Sequence, residues 1–312
     1  MLFELNNINR SAAEDPEGFA ARCDEEYAVR ISDAATVIAG NVGSSPIVLL
    51  SGPSGSGKTT TALKLTQELL ARGIGTHTVS LDNYFIDVDI NTHPRDENGN
   101  IDYESPQCLD IDLLARHFAE LARGDEVAIP KFEFTRQRRN EERARRLCLG
   151  SNEIAIFEGI HALNDMITSE IGNRAQKLYV SARTSIEDGG KVVFKHTWTR
   201  LLRRIIRDYN FRGWDAAHTL AMWGTVRRGE KRYISPFKFK ADIVLDSALE
   251  YEVSVLAPYA VPMLAEVPEC ERNQELLQIL PAVQKFAVID QQYVGEHSLI
   301  REFIGGGSYS YS

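Results

Sequence analysis

The sequence predicts an α/β protein in which a mostly parallel sheet carries helices on both faces, a three-layer α/β/α arrangement. Three observations predict it. Short apolar runs bounded by turn residues recur along the chain and read as buried strands. Stretches with apolar residues at helical spacing lie between several of them, and this βαβ alternation favours a parallel sheet. The first such unit carries Gly52-Pro53-Ser54-Gly55-Ser56-Gly57-Lys58-Thr59 at its strand-to-helix turn. That stretch satisfies G-x-x-x-x-G-K-[ST], a phosphate-binding loop (P-loop), at every fixed position. The expected fold is therefore that of a P-loop NTPase with a lid segment.

The chain has 312 residues, enough for one large domain with extensions. Its 43% hydrophobic and 25% charged residues are ordinary for a soluble globular protein. A net charge of −9 argues against nucleic acid as the main partner. Cys23, Cys108, Cys148 and Cys270 show no metal or redox spacing, which fits reduced thiols in a cytoplasmic protein. The N-terminus lacks signal-peptide features, and no run approaches the roughly 18 apolar residues of a membrane helix. Neither nucleic acid nor membrane is expected as a partner. A homo-oligomer stays open.

Residues 1–45 read as an N-terminal helical extension, with Asp15-Pro16-Glu17 as a helix start. The main domain is expected over 46–250. Pro46 to Leu50 is its first strand, followed after the P-loop by a helix over 59–72 that Gly73 stops. A second strand over 75–81 ends at Asp82, and a long polar loop runs from 83 to 108. Asp110 caps a helix over 111–123, Gly124 closes it, and 127–130 is extended. The arginine-rich run 136–146 reads as a solvated arm or hairpin, its charge balanced in part by Glu141 and Glu142. Ile154 to Phe157 is a buried strand with Glu158 at its end, and 178–180 is another. An arginine-rich helix over 197–208 opens a lid reaching to about 235, and 241–245 is the last strand. From 251 to 312 the chain is expected to pack on the core, with a helix over 274–286 and a flexible tail from Gly305-Gly306-Gly307.

Ligands of such sheets bind outside the carboxyl ends of the strands, so the P-loop, Asp82 and Glu158 should converge there. Backbone N–H groups over Gly52, Ser54, Gly55, Ser56, Gly57 and Thr60 suit a phosphate chain, aided by the helix N-terminus. Lys58 reaches the β/γ oxygens and the Thr59 hydroxyl suits Mg²⁺. Glu158 suits the same metal, directly or through water. Asp82 can accept a proton from an attacking hydroxyl or help hold the metal. Arg203 and Arg207 share a helix face, and with Arg204 and Arg212 they offer planar donors to phosphoryl oxygens or substrate. His161, three residues after Glu158, either touches substrate or supports the site. An Asn-Lys-x-Asp guanine reader and a Leu-Ser-Gly-Gly signature are both absent, so GTPase and transporter-ATPase readings fall away. A kinase of a small hydroxyl compound remains, with a non-catalytic nucleotide sensor as the alternative.

In these residues the chain resembles the uridine kinase and phosphoribulokinase family of P-loop kinases. The likeness covers about residues 46–250 in order: the P-loop, Ser-Leu-Asp-Asn-Tyr-Phe (80–85), Asp-Tyr-Glu-Ser-Pro (102–106) and Pro-Lys-Phe-Glu-Phe (130–134). Phe-Glu-Gly-Ile (157–160), Arg-Arg-Ile-Ile-Arg-Asp (203–208) with Arg-Gly (212–213), and Ala-Asp-Ile-Val-Leu (241–245) complete it. The resemblance implies ATP and Mg²⁺ as cofactors, Asp82 as the base, and Glu158 with Thr59 on the metal. It implies that Arg204 and Arg207 come from a lid over the phosphates. Tyr84, Tyr103, Phe132 and Phe134 fall where uridine kinases line the nucleoside pocket, and Glu104 where they place an acid on the ribose hydroxyls. Gln137 stands in place of a base-reading histidine, Trp214 of an arginine and Met222 of a glutamine. Glu-Gly-Ile-His (158–161) is instead closer to the Glu-Gly-Leu-His of phosphoribulokinases. The expected acceptor is the 5′-hydroxyl of uridine or a related nucleoside, with a sugar phosphate or other polyol as the alternative.

Overall fold

The computed structural model describes residues 2–311 apart from 90, 172 and 173. The chain opens with β1 (Leu2–Glu4), α1 (Leu5–Glu14) and α2 (Pro16–Ala39). Asp15 caps α2 by accepting from the Gly18 N–H at 2.9 Å, with proline at the first helical position. Strand β2 (Ile47–Ser51) leads through the P-loop into α3 (Lys58–Ala71) and then β3 (Gly75–Ser80). After the polar loop, α4 (Ile111–Arg123) starts at the Asp110 cap and stops at Gly124, whose φ is +81°.

Four short strands follow, β4 (Val127–Ile129), β5 (Phe132–Glu133), β6 (Arg138–Arg139) and β7 (Arg145–Leu147). Then come β8 (Glu153–Glu158), α5 (Asp165–Ile171) and β9 (Ala175–Ser181). The strands β10 (Ser185–Asp188) and β11 (Lys191–Phe194) precede α6 (His196–Arg212) and α7 (Ala216–Gly229). The chain ends with β12 (Ile243–Asp246), α8 (Glu252–Ala265), α9 (Gln274–Val283) and α10 (Arg301–Ile304).

The central sheet has the order β12-β9-β2-β8-β3 and every pairing in it is parallel. Side chains alternate across it, as pleating requires. Val48 and Leu50 of β2 enter one core with the inner faces of α2, α6 and α8, while Ile47 and Leu49 enter a second core with α4 and α5. The outcome is the expected three-layer α/β/α fold. The strand order places β2 between β9 and β8, so the P-loop emerges at the middle of the sheet.

Three expectations need correction. The arginine-rich run is a hairpin with a returning strand, but Glu141 and Glu142 do not balance it. Glu133 pairs with Arg136 and Arg143, Glu126 with Arg146, and Asp110 with Arg139. Helix α6 is no detachable lid, because Leu201, Leu202, Ile205 and Ile206 are all fully buried in the first core. The tail beyond Gly305 is not a free end, since Tyr309 donates from its hydroxyl to Gln67 on α3 at 2.7 Å. A further element was not foreseen: β1 pairs in parallel with β10, making a small sheet in the order β1-β10-β11.

Candidate active site

The P-loop bends tightly because two of its glycines occupy the left-handed region. Gly55 and Gly57 have φ of +73° and +82°, and a Cβ on either would stand 2.7 Å from the Arg200 carbonyl oxygen or the Leu299 side chain. This conformation starts α3 at Lys58 with its first-turn N–H groups facing the loop. Ser247 donates to the Ser56 carbonyl at 2.6 Å, and the Ser56 hydroxyl is buried without a partner. Lys58 donates to the Pro53 carbonyl at 3.3 Å. Enclosure lowers the pKa of its ammonium group, while Glu158, Glu302 and Asp82 pull it back up.

The two acids reach the same place from neighbouring strands. Glu158 ends β8, in register with Ser80 of β3 and Leu50 of β2, and Asp82 follows β3 by two residues. Burial pushes the Glu158 carboxyl up to about 7, with Lys58 opposing and Asp82 reinforcing the rise. The Asp82 side chain opens to solvent, yet the walls around it also raise its pKa, against the pull of Lys58 and Arg212. P-loop, Asp82 and Glu158 therefore share one electrostatic environment at the carboxyl end of the sheet. Among the described residues no group of three or more His, Cys, Asp or Glu could hold a metal by itself. The Thr59 hydroxyl and these two carboxylates are hard oxygen donors. They fit a Mg²⁺ that takes its other ligands from phosphate and water.

The arginines of α6 divide into two groups. Arg203 is fully buried, and its guanidinium donates to Glu252 at 2.7 Å, to the Gly55 carbonyl at 3.2 Å and to the Ser247 carbonyl at 2.7 Å. It clamps the outside of the P-loop and has no face left for a nucleotide, which corrects the expectation of cofactor contact. Arg200 acts similarly, donating to the Ser54 carbonyl at 3.0 Å and to both oxygens of Glu230 at 3.0 and 2.7 Å. Arg204, Arg207 and Arg212 all converge on the buried carboxylate of Asp208, at 3.2, 2.7 and 3.4 Å. Arg204 also donates to the Ser54 hydroxyl at 3.0 Å, which ties this second group to the P-loop.

The proposed acceptor side is only partly assembled as foreseen. Tyr84 is fully buried and its hydroxyl lies 2.9 Å from His117 Nδ1, so it belongs to the second core and lines no pocket. Phe132 is buried as well, in an edge-to-face cluster with the half-buried Phe85 and with Phe134, which is exposed. Tyr103 is exposed against His93. Gln137 is exposed in the β5–β6 turn at a φ of +52°. Glu104 faces the arginines: burial pushes its carboxyl up to about 7, opposed first by Arg204. The Tyr233 hydroxyl donates to Asp102 at 2.7 Å and so ties the Glu104 loop to the segment after α7. His161 is buried edge-on to Tyr233, and burial drives its pKa down to about 4. It is a neutral imidazole beneath the site.

Sequence reasoning missed Arg200, Asp208, Glu230 and Glu252, whose roles appear only once their partners are in place. It also missed the C-terminal segment. Glu302 accepts from the Thr60 N–H at 3.1 Å and from the Thr60 hydroxyl at 2.6 Å. The Tyr311 hydroxyl lies 3.3 Å from the same Thr60 oxygen. A cavity of about 440 Å³ lies beside Thr59, walled by Arg207, Phe211 and Arg212 on one side and by Arg301, Glu302 and the tail on the other.

Comparison with known proteins shows the family to which this fold and P-loop belong. The profile of the Phosphoribulokinase / Uridine kinase family matches residues 47–254. A uridine kinase of Halobacterium salinarum is 29% identical over 197 residues, covering 63% of this chain and 77% of that protein. A uridine kinase of Vibrio cholerae is 29% identical over 204 residues, covering 64% of this chain and 85% of that one. Among solved structures, a kinase ascribed to a fructose transport system in Silicibacter sp. TM1040 superposes with a TM-score of 0.51. It is 18% identical and covers 69% of this chain and 98% of its own, a likeness of fold alone. With the family profile spanning two-thirds of its length, the chain belongs to the phosphoribulokinase / uridine kinase family and is a kinase whose acceptor is a hydroxyl group.

Proposed function

We propose that the protein transfers the γ-phosphoryl group of ATP, with Mg²⁺, to the 5′-hydroxyl of uridine or a related nucleoside. The observation that carries the reading is the meeting of Asp82, Glu158 and Lys58 at the P-loop, in a chain whose relatives are uridine kinases. ATP supplies the transferable phosphoryl group, and Mg²⁺ would sit with Thr59, Glu158 and Asp82 to offset its charge. Asp82 accepts the proton of the attacking hydroxyl as the new O–P bond forms and the bond to ADP breaks. Its raised pKa brings it nearer to the pH at which a base works best. Lys58, Arg204, Arg207 and Arg212 are the donors for charge on the migrating phosphoryl oxygens. Glu104 faces Arg204 where a polyol could be held, accepting from its hydroxyls when ionised.

A second acceptor class, a sugar phosphate or other polyol, draws support from the base-reading positions. Gln137 sits in an exposed turn and Trp214 lies against His218, while Tyr84 is sealed in the core. A pyrimidine would meet few of the polar partners it needs there, and unmatched polar groups penalise a substrate strongly. The test is ADP release with Mg-ATP against uridine, cytidine, other nucleosides, ribulose 5-phosphate and simple polyols. Turnover with uridine or cytidine supports the first reading. Turnover with sugars or sugar phosphates alone replaces it with the second, and ATP binding without acceptor-dependent turnover would point to a nucleotide sensor.

A further inference from the structure

We infer that Glu302 holds a phosphate position of the P-loop when no nucleotide is bound, and that a nucleotide must displace it. This rests on the donor reading above and adds a residue from outside the matched family region. The first-turn N–H groups of a helix have no intrahelical partner and favour an anion. In α3 that anion is Glu302, which takes both donors of Thr60, the backbone N–H at 3.1 Å and the hydroxyl at 2.6 Å. The N–H groups at the start of a P-loop helix are those that cradle α/β-phosphates. One pair of donors therefore faces two anions, an internal carboxylate and a nucleotide phosphate.

The surroundings confine the exchange to a side chain. Leu299, Ile300 and Phe303 are all fully buried, and Leu299 packs against Gly57 of the P-loop. The Phe303 ring lies 5.3 Å from the Arg203 guanidinium, and its carbonyl accepts from Asn210 at 3.1 Å. The backbone around Glu302 is thus held in the core, whereas its carboxylate borders the open cavity beside Thr59. Arg207 and Arg301 line the same cavity and offer a cationic setting for the carboxylate once a phosphate oxygen has taken Thr60. The consequence is a P-loop that discriminates against weak anions, since only a ligand with several phosphate contacts can outcompete a tethered carboxylate.

The experiment is isothermal titration calorimetry of the full chain with ATP and with tripolyphosphate, a probe that lacks base and sugar. Glu302→Ala should tighten both Kd values about tenfold or more, the worth of a charge-assisted hydrogen-bond pair, with Glu302→Gln in between. A gain in affinity cannot come from misfolding, and the near-isosteric Gln variant guards against local collapse. Unchanged or weaker binding of tripolyphosphate in both variants overturns the inference. So does tightening for ATP alone, which would move Glu302 from the phosphates to the nucleoside. Lys58→Ala tests the donor reading separately: wild-type ATP binding that this variant abolishes supports it whatever Glu302 does. No ATP binding by any form overturns both.

Discussion

Replacing Asp208 with Asn should disarm the arginine cluster. The Asp208 carboxylate is fully buried and faces guanidinium groups from Arg204, Arg207 and Arg212 at 3.2, 2.7 and 3.4 Å. Removing one partner of a buried ion pair costs about 3–5 kcal/mol, because the other charge is left uncompensated. Here Arg212 is half-exposed and Arg207 partly so, and the Asn oxygen still accepts one hydrogen bond. The lower end, about 3 kcal/mol, is the better figure, and for a chain of this size it lowers Tm by roughly 5 °C. Activity should fall further than stability implies, since guanidinium groups that no longer share an anchor lose their aim at developing phosphoryl charge. A loss of about 100-fold in kcat corresponds to roughly 2.7 kcal/mol of transition-state stabilisation. Scanning calorimetry and acceptor-dependent ADP release measure the two effects. A lowered Tm with wild-type kcat would make Asp208 purely structural and refute the positioning argument. A wild-type Tm would refute the buried-charge reasoning itself.

Other substitutions probe the rest of the site. Asp82→Asn should reduce turnover by about 10²–10⁴ while ATP binding, measured by calorimetry, persists; full turnover would remove Asp82 as the base. Glu158 has a folded pKa of about 7, above its ordinary value of 4.5, so the native state binds the extra proton and stability falls as pH rises between these values. Glu158→Gln should therefore raise Tm in the absence of Mg²⁺ and nucleotide at pH 8, with the gain shrinking toward pH 4.5; a gain that is independent of pH would contradict this. Arg203→Met should cost about 3 kcal/mol in urea unfolding by stranding buried Glu252. Adding Glu252→Leu should recover part of that loss, and no recovery would mean that the loop contacts of Arg203, not its charge pairing, dominate.

The P-loop, the parallel sheet and the acids at its carboxyl edge are legible in the sequence because each has a local cause. A glycine spacing, an apolar run and a strand-ending carboxylate are all readable within about ten residues, and βαβ topology then brings Asp82 and Glu158 to Lys58. The helix over 111–123 is equally local, bounded by its own Asp110 cap and Gly124 stop. The arginines of α6 show the limit. Their spacing on the helix says nothing of which meets a carboxylate, and Arg203 is withdrawn from the site by Glu252, 49 residues on. Tyr84 carries a motif position, yet packing against His117 and Phe157 seals it in the core. The C-terminal segment shows the same limit most plainly. Glu302 lies 242 residues beyond Thr60 and no local pattern marks it as an anion for the P-loop. That contact exists because burial of Leu299, Ile300 and Phe303 carries their neighbour to the start of α3, and only the tertiary structure decides where a buried apolar stretch brings the polar residue among it.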